Sequence, residues 1–322
     1  MSAGDVEIRK DEPPEGLEEL AALPAGCFFH SPAWLRAVRQ AEPRFGLWTY
    51  ATRDVAGVLQ AAAPFLVASR LGIVRLYAGA WGTYGGVLGR EPAPAAALGR
   101  ALESLLRSPR IALVRVHDWS GGFEAACGAA PGWRRQQESS QVLDLGADPG
   151  ALFRDAFTQQ NRNKIRKAEK LGVQVRRAND ADALQRYAAL YRETERRWRR
   201  RRRLPSRLFA ALASAAGVDV WLAERGGETL AALLNLRGGG QIMNWGNVSR
   251  REAWDFAPNN LLHWRAIEAA CLDPGGPRLY NFGSSSGLPG VHNFKAAFGA
   301  REHAYARLEY VAPWARWARR IG

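Results

Sequence analysis

Lys295 is the side chain whose type and position in the sequence most favour a role in chemistry. Five of the 45 basic residues are lysines, and Lys295 is the only one that follows Lys170. A mutational bias toward arginine should have replaced a lysine that is merely solvated. A lysine ammonium on a flexible stem can stabilise an oxyanion that forms only in a transition state. We therefore predict a catalytic Lys295 with Phe294 shaping its site; the alternative is a surface lysine that caps a short helix.

Two asparagines next to Pro258 form a second group of candidates. Pro258 predicts the first position of a helix, where its missing N–H costs nothing. Asn259 and Asn260 follow it and are predicted to face a pocket and bind an amide-bearing substrate. The preceding segment, 250–257, has no glycine and two large aromatic residues. A phosphate cradle of backbone N–H groups is therefore not expected here, and a plain helix covered by these aromatics is the alternative.

Positive charge is concentrated in one segment of the chain. The net charge is +14, and residues 151–203 hold 17 basic and six acidic residues, so 11 of the excess charges lie there. Such a field favours a polyanion, namely RNA, DNA or a phosphate-rich membrane face. A solvated charged face without a ligand is the alternative. The predicted phosphate-binding residues are Arg162, Lys164, Arg166, Lys167, Arg199, Arg200, Arg201, Arg202 and Arg203.

Other kinds of site are not indicated. The five histidines show no metal-ligand spacing, and the three cysteines are too far apart for a disulfide framework or a zinc site. There is no P-loop and no Gly-x-Ser-x-Gly motif, and the serines at 284–286 have no paired base. No apolar run reaches the length of a membrane span, and the acidic N-terminus is unlike a secretory signal. We expect a reduced cytoplasmic protein without metal.

The elements that position these residues form two halves. Hydrophobic residues make up 47% and charged residues 24% of 322 residues, which suits two globular domains. Strands are predicted in the first half at 47–52, 58–67, 74–79, 111–117 and 141–145, and helices at 32–40 and 93–106. This mixed α/β order favours a sheet with helices on its faces. A turn-rich junction at 146–150 predicts domains 1–147 and 148–312, followed by a basic and aromatic tail, 313–322.

The second half begins with two predicted helices, 151–171 and 182–202. The elements predicted after them are strands 218–225, 229–237 and 241–247, a helix at 258–272, a strand at 278–282, a short helix at 293–298 and a strand at 304–311. The order is therefore helix, helix, three strands, helix, strand, helix, strand. No tandem repeat of 20–50 residues is present, which excludes solenoids and propellers.

Several motifs resemble those of one known family. Residues 258–264 (PNNLLHW), 280–286 (YNFGSSS) and 294–299 (FKAAFG) are similar to the C-terminal half of FemABX-like proteins, which are aminoacyl- and acyltransferases with two GNAT domains. Asn281 and Ser284 stand where Asp and Arg are usual in that family. The basic stretch 161–173, the motif HSPAW at 30–34 and the motif YGG at 84–86 also resemble it. The resemblance covers about residues 29–310.

The resemblance implies tandem GNAT-like domains with mixed α/β sheets, the second holding the reaction site and the first helping to form an acceptor cleft. It implies transfer of an aminoacyl group from aminoacyl-tRNA to a primary amine of a peptide or peptidoglycan precursor. Phe294 and Lys295 match the family motif whose lysine is implicated in transfer, and the basic segment would bind tRNA. No general base is assigned. The predicted substrate-binding residues are Trp34, Arg36, Tyr84, Tyr191, Asn244, Trp245, Asn259, Asn260, Asn281 and Ser284.

Three other functions stay open from the sequence. An acyl-CoA-dependent N-acyltransferase acting on a sugar or polysaccharide precursor would use the same fold, although segment 250–257 speaks against it. A non-catalytic RNA-binding module would need only the basic segment. A membrane-surface scaffold would use the tail, whose tryptophans and arginines suit an anionic membrane. The predicted partners are tRNA and an amine-bearing peptide or lipid-linked precursor, with no cofactor beyond aminoacyl-tRNA as co-substrate, or acyl-CoA in the alternative.

Overall fold

The computed structural model describes residues 6–127, 132–198, 204–213 and 215–318. The chain forms two compact units, residues 1–138 together with 304–322, and residues 139–303. The division predicted from the turn-rich junction lies at 147/148 and groups residues 304–312 with the second domain. The two divisions differ because pairing between strands that are distant in sequence leaves no local pattern.

The first part of the chain alternates strands and helices. Its elements are β1 (Val6–Lys10), α1 (Leu17–Ala21), α2 (Pro32–Ala41), β2 (Phe45–Arg53), β3 (Leu59–Arg70), β4 (Ile73–Tyr77), β5 (Leu88–Gly89), α3 (Pro92–Leu106), β6 (Ile111–Asp118), α4 (Gly122–Cys127) and β7 (Trp133–Asp144). Helix α2 starts where the sequence predicts, because Ser31 accepts a hydrogen bond from the Trp34 N–H and Pro32 occupies the first turn.

The second part contains the basic segment and the candidate site. Its elements are α5 (Pro149–Asp155), α6 (Gln159–Lys170), β8 (Gln174–Ala178), α7 (Ala181–Trp198), α8 (Ser206–Leu212), β9 (Val218–Arg225), β10 (Glu228–Gly238), β11 (Gln241–Ser249), α9 (Pro258–Cys271), β12 (Leu279–Asn281), α10 (Pro289–Ala296), β13 (Arg301–Val311) and α11 (Pro313–Ala318). The helix predicted at 151–171 is two helices, because Thr158 caps a new N-terminus by accepting from the Asn161 N–H.

The first unit is built on a mixed sheet. Strands β1 to β4 are antiparallel neighbours, β4 pairs with β6 in parallel, and β6 pairs with β13 in antiparallel orientation. Residues from the end of the chain thereby complete this sheet, and Ala306 and Leu308 lie in the unit's hydrophobic core. Gly85, in the predicted YGG motif, approaches the Ala78 carbonyl so closely that a β-carbon there would lie 1.8 Å from its oxygen.

The second unit has a sheet in the order β7, β12, β11, β10, β9, β8. Only the β11–β12 pair is parallel, and its register covers Gln241 to Met243 on β11. From Asn244 onward β11 continues beside β10, with a register shift opposite Leu234 and Asn235. Helix α9 is apolar around much of its circumference and lies within the core, as expected of a helix enclosed by other elements.

None of the helices in the described ranges combines the length and the apolar character that a membrane-spanning helix needs.

Candidate active site

Lys295 lies in α10 next to the loop that precedes this helix. Its side chain is almost fully buried, with 7% of the residue exposed. The Nζ atom donates one hydrogen bond to the Gly283 carbonyl at 2.7 Å and another to the Ser284 carbonyl at 2.9 Å. Because an ammonium carries three N–H groups, one donor is left for a further acceptor.

The charge of this lysine is not balanced locally. Among the residues that the structure describes, no carboxylate forms an ion pair with Nζ, and burial lowers the pKa of Lys295 to about 8. A buried cation without a counter-ion is expensive, since desolvation is not offset by attraction to an opposite charge. Such an ammonium suits a negative charge that develops on a bound substrate.

Asn281 fixes the loop that holds Lys295. It is fully buried at the end of β12, and its Oδ1 accepts hydrogen bonds from Ser140 Oγ at 2.9 Å and from the Gly283 N–H at 2.9 Å. Its Nδ2 donates to Gln241 Oε1 at 3.2 Å. The asparagine therefore positions the residue whose carbonyl accepts from Lys295.

His263 connects this region to β11 through a directed chain of hydrogen bonds. Burial, followed by the positive charge of Lys295, lowers the pKa of His263 to about 3, so the ring is neutral. Asn247 Nδ2 lies 3.1 Å from Nε2 and can only donate, which places the ring proton on Nδ1, 3.0 Å from the Tyr280 hydroxyl. That hydroxyl donates onward to Asn235 Oδ1 at 3.5 Å.

The N-terminus of α9 lies beside the end of β11. Asn259 Nδ2 and Trp254 Nε1 both donate to Ser249 Oγ, at 3.2 and 3.1 Å. Phe256 lies under the Arg225 guanidinium, whose central carbon is 4.6 Å from the ring centroid. The aromatic cover over this helix end, expected from the sequence, is present.

Several backbone N–H groups at the start of α9 and in the segment before it are already used. Each donates to the carbonyl of the residue three positions earlier, and they are the N–H groups of Ala253, Trp254, Phe256, Ala257 and Asn260. Pro258 has no N–H, so the first turn of the helix has fewer donors for a diphosphate.

The exposed face of α6 carries unpaired cations. Lys164, Lys167 and Lys170 are exposed, and none of them forms an ion pair with a carboxylate of the described ranges. Ile165 and Ala168 are the buried side of this helix. Of the described arginines that follow, Arg176, Arg177, Arg186 and Arg197 lie within 4 Å of a carboxylate; Arg177, for example, contacts the buried carboxylate of Asp219 at 2.6 Å.

Comparisons with known proteins agree with this architecture. Residues 155–296 match the family model described as an Acetyltransferase (GNAT) domain. FemX superposes with a TM-score of 0.75 at 15% identity, with 96% of this chain and 99% of that chain covered.

The chain has the FemABX-like tandem GNAT fold. This confirms the fold and the family resemblance predicted from the motifs. L-PGS from Bacillus licheniformis gives a TM-score of 0.59 at 13% identity, covering 98% of this chain and 96% of that chain. A tandem GNAT protein from the clavulanic acid biosynthesis pathway gives 0.55 at 14%, covering 96% and 99%. No curated protein sequence gives a significant match.

The structure brings several predicted residues of the chain together in the second unit. Phe294 is half-buried, with its ring 5.5 Å from the His263 ring, so it packs directly beside the Lys295 region. Ser284 contributes its carbonyl to Lys295, while Asn244 donates to Asn235 at 3.0 Å. Trp245 is half-buried on β11 where the register shifts.

Other predicted residues have packing roles. Asn260 donates to Asn161 Oδ1 at 2.8 Å and thereby ties α9 to α6, and Tyr191 is buried against Phe209, with ring centroids 5.2 Å apart. Arg162 donates to the Arg154 carbonyl at 2.7 Å, so its guanidinium is used within the unit. Arg166 is exposed, with its guanidinium 5.7 Å from the Phe153 ring.

The predicted residues of the first unit are mainly part of its interior. Trp34 and Tyr84 are 0% and 3% exposed and pack in one aromatic cluster with Phe29. Arg36 is exposed, 3.7 Å from Glu12. The predicted run Arg199, Arg200, Arg201, Arg202 and Arg203 lies outside the described residues.

Sequence reasoning missed Asn247, Ser249 and the role of His263. Asn247 and Ser249 alternate with other residues on one face of β11, and His263 follows Asn259 by one helical turn. These spacings were visible in the sequence, but nothing in it indicated that the strand and the helix face each other.

Proposed function

We propose that this chain is an N-acyltransferase that moves an aminoacyl group from aminoacyl-tRNA to a primary amine of a peptide or peptidoglycan-precursor acceptor. The amine nitrogen attacks the ester carbonyl and forms a C–N bond. The bond between the carbonyl carbon and the ribose oxygen breaks, and the ribose oxygen leaves with the proton that the amine gives up. No covalent intermediate with the enzyme is needed, because the ester is already activated.

The buried Lys295 ammonium is the observation that carries this proposal. Its third N–H is free for the carbonyl oxygen of the donor, which becomes negative in the tetrahedral intermediate. The other two N–H groups hold it against the Gly283 and Ser284 carbonyls, so little reorganisation is needed when the charge appears. Aligning the two substrates would supply much of the remaining acceleration.

The N-terminus of α9 supports tRNA rather than coenzyme A as the carrier of the acyl group. A coenzyme A diphosphate needs several free N–H groups at a helix N-terminus; here those of Ala257 and Asn260 are bonded internally and Pro258 has none. The unpaired lysines of α6 offer instead a separate exposed surface for phosphodiester groups.

A radiolabelled-transfer assay tests the proposed donor. The purified chain is incubated with a pool of tRNA charged with labelled amino acids and with peptidoglycan-precursor peptides that carry a free amine. We expect label in an RNase-resistant, amide-linked product. Binding of charged tRNA without transfer to any acceptor in the panel would indicate an RNA-binding module.

An acyl-CoA-dependent N-acyltransferase is the second candidate, because the matching family model is an acetyltransferase domain. A parallel reaction with labelled acetyl-CoA and amino-sugar acceptors tests it. Transfer from acetyl-CoA and none from tRNA would reverse our assignment of the donor.

A further inference from the structure

Two buried carboxamide oxygens of the second unit are without a donor. Asn247 Oδ1 and Asn259 Oδ1 accept no hydrogen bond from any residue within the described ranges. Leaving a buried acceptor unsatisfied is costly, so these two oxygens, one on a strand and one on the helix it contacts, need an explanation.

The two oxygens belong to neighbouring contacts between one strand and one helix. Asn247 and Ser249 lie two residues apart on β11 and share a face, about 7 Å apart along the strand. Asn259 and His263 lie one turn apart on α9. The hydrogen bonds from Asn247 to His263 and from Asn259 to Ser249 join the strand to the helix side by side.

The orientation of both amides follows from their partners. Nε2 of the neutral His263 ring accepts from Asn247 Nδ2, and Ser249 Oγ accepts from Asn259 Nδ2. Each Nδ2 is therefore committed to the strand–helix contact. Each Oδ1 is left to accept from a ligand.

The chemistry of the ligand follows from the number of acceptors and the local charge. An unprotonated primary amine has two N–H donors, which matches two carboxamide oxygens. The positive charge of Lys295 acts at His263, so a second cation would be repelled there. A neutral amine is therefore favoured over an ammonium group.

We propose that Asn247 and Asn259 bind the unprotonated α-amino group of the aminoacyl donor while Lys295 faces its carbonyl. This inference rests on the proposed aminoacyl transfer and adds the selection of the donor. Trp254 is 56% exposed and its indole donates to the same Ser249 Oγ as Asn259, so it lies beside the proposed amino-group site.

Three donors that differ only at the α-position test this inference. They are one tRNA charged with the transferred amino acid, with its N-acetyl derivative, or with the corresponding des-amino acid. We expect kcat/KM for the amino form to exceed that for each of the others at least tenfold, since the analogues leave an acceptor unpaired.

The variants Asn247→Leu and Asn259→Leu should reduce this preference by lowering only the rate with the amino form. Asn259→Asp keeps the acceptor oxygen and should preserve the preference, which guards against a folding defect. Gln40→Leu, at an exposed position of α2 in the first unit, is the matched control.

The outcomes separate the two proposals. Equal use of the three donors by the wild-type chain, or an unchanged preference in both leucine variants, would overturn the inference and leave aminoacyl transfer standing. Transfer from none of the charged tRNAs would overturn the proposed function, and the inference with it.

Discussion

The Lys295 ammonium has one role that its hydrogen bonds show and a second that we propose. It holds the loop at Gly283 and Ser284, and its third N–H is proposed to face a substrate. A neutral side chain of similar length would lose both functions. Their consequences differ, because the first affects stability and the second affects turnover.

We expect Lys295→Met to lower kcat by roughly 100-fold, in the range found when one oxyanion donor is removed. tRNA affinity should stay within about twofold, since the unpaired lysines of α6 are untouched. Single-turnover transfer and filter binding measure the two quantities. Lys10→Met, at an exposed lysine of the first unit, is the matched control. Wild-type turnover in Lys295→Met would remove Lys295 from the mechanism.

The activity should also depend on pH through the same group. Burial lowers the pKa of Lys295 to about 8, so the ammonium that stabilises an oxyanion is lost as pH rises through that value. With hydroxylamine as an acceptor that is already neutral, kcat should be constant near pH 7 and fall above pH 8. A rate that keeps rising to pH 9 would contradict a role for the charged form.

The two faces of helix α6 differ in their surroundings. Its buried side packs in the core, and Asn161 accepts from Asn260 of α9. Its outer side presents lysines without carboxylate partners. The positive charge of this segment is therefore not all free to bind a ligand. Arg176 and Arg177 in β8 and Arg186 in α7 pair with acidic residues, as Arg176 does with Glu224 at 2.8 Å.

Replacing Lys164, Lys167 and Lys170 together by alanine should weaken tRNA binding and reduce the slope of log affinity against log salt by roughly 2–3, since each phosphate contact contributes nearly one. Titrations at several salt concentrations measure this slope. Arg70, Arg75 and Arg107, exposed residues of the first unit, provide a control triple. An unchanged slope would place the tRNA elsewhere.

Local sequence patterns were sufficient for elements with strong signals. Pro258 marks the start of α9, and the apolar run at 111–117 matches β6. Strand β8 was missed because QVRRA is polar and lies at the edge of the described sheet, paired with β9. The break before α6 depends on the Thr158 cap, a single hydrogen bond inside an otherwise continuous helical pattern.

The candidate site, too, could be predicted from the sequence only in part. Phe294 and Lys295 are adjacent in one motif and could be selected from sequence alone. The contacts that surround them join residues far apart in the chain, such as Ser140 with Asn281 and Asn161 with Asn260. A periodicity within one element does not indicate which other element it will face.

At the scale of the whole molecule, the sheet of the first unit depends on the end of the chain. Residues 306–311 pair with β6, and Arg115 forms an ion pair with Glu309 at 2.5 Å in this ladder. Removing this strand would expose the edge of β6 and open the core beside Leu308.

A chain that ends at His303 should therefore lose the cooperative unfolding of the first unit and become sensitive to protease within residues 1–138. Differential scanning calorimetry and limited proteolysis with mass mapping report on this. A chain that ends at Ala318 keeps the strand and is the control. Protection equal to wild type in the shorter chain would show that β13 is dispensable.

Because the first sheet includes β13, it cannot be completed early in biosynthesis. Residues 6–127 leave the ribosome long before the strand that completes their sheet has been translated. The edge of β6 stays open while residues 139–303 are synthesised, so the first sheet is completed only after the second unit has been translated. A chaperone that shields extended edges would have its longest opportunity during that interval.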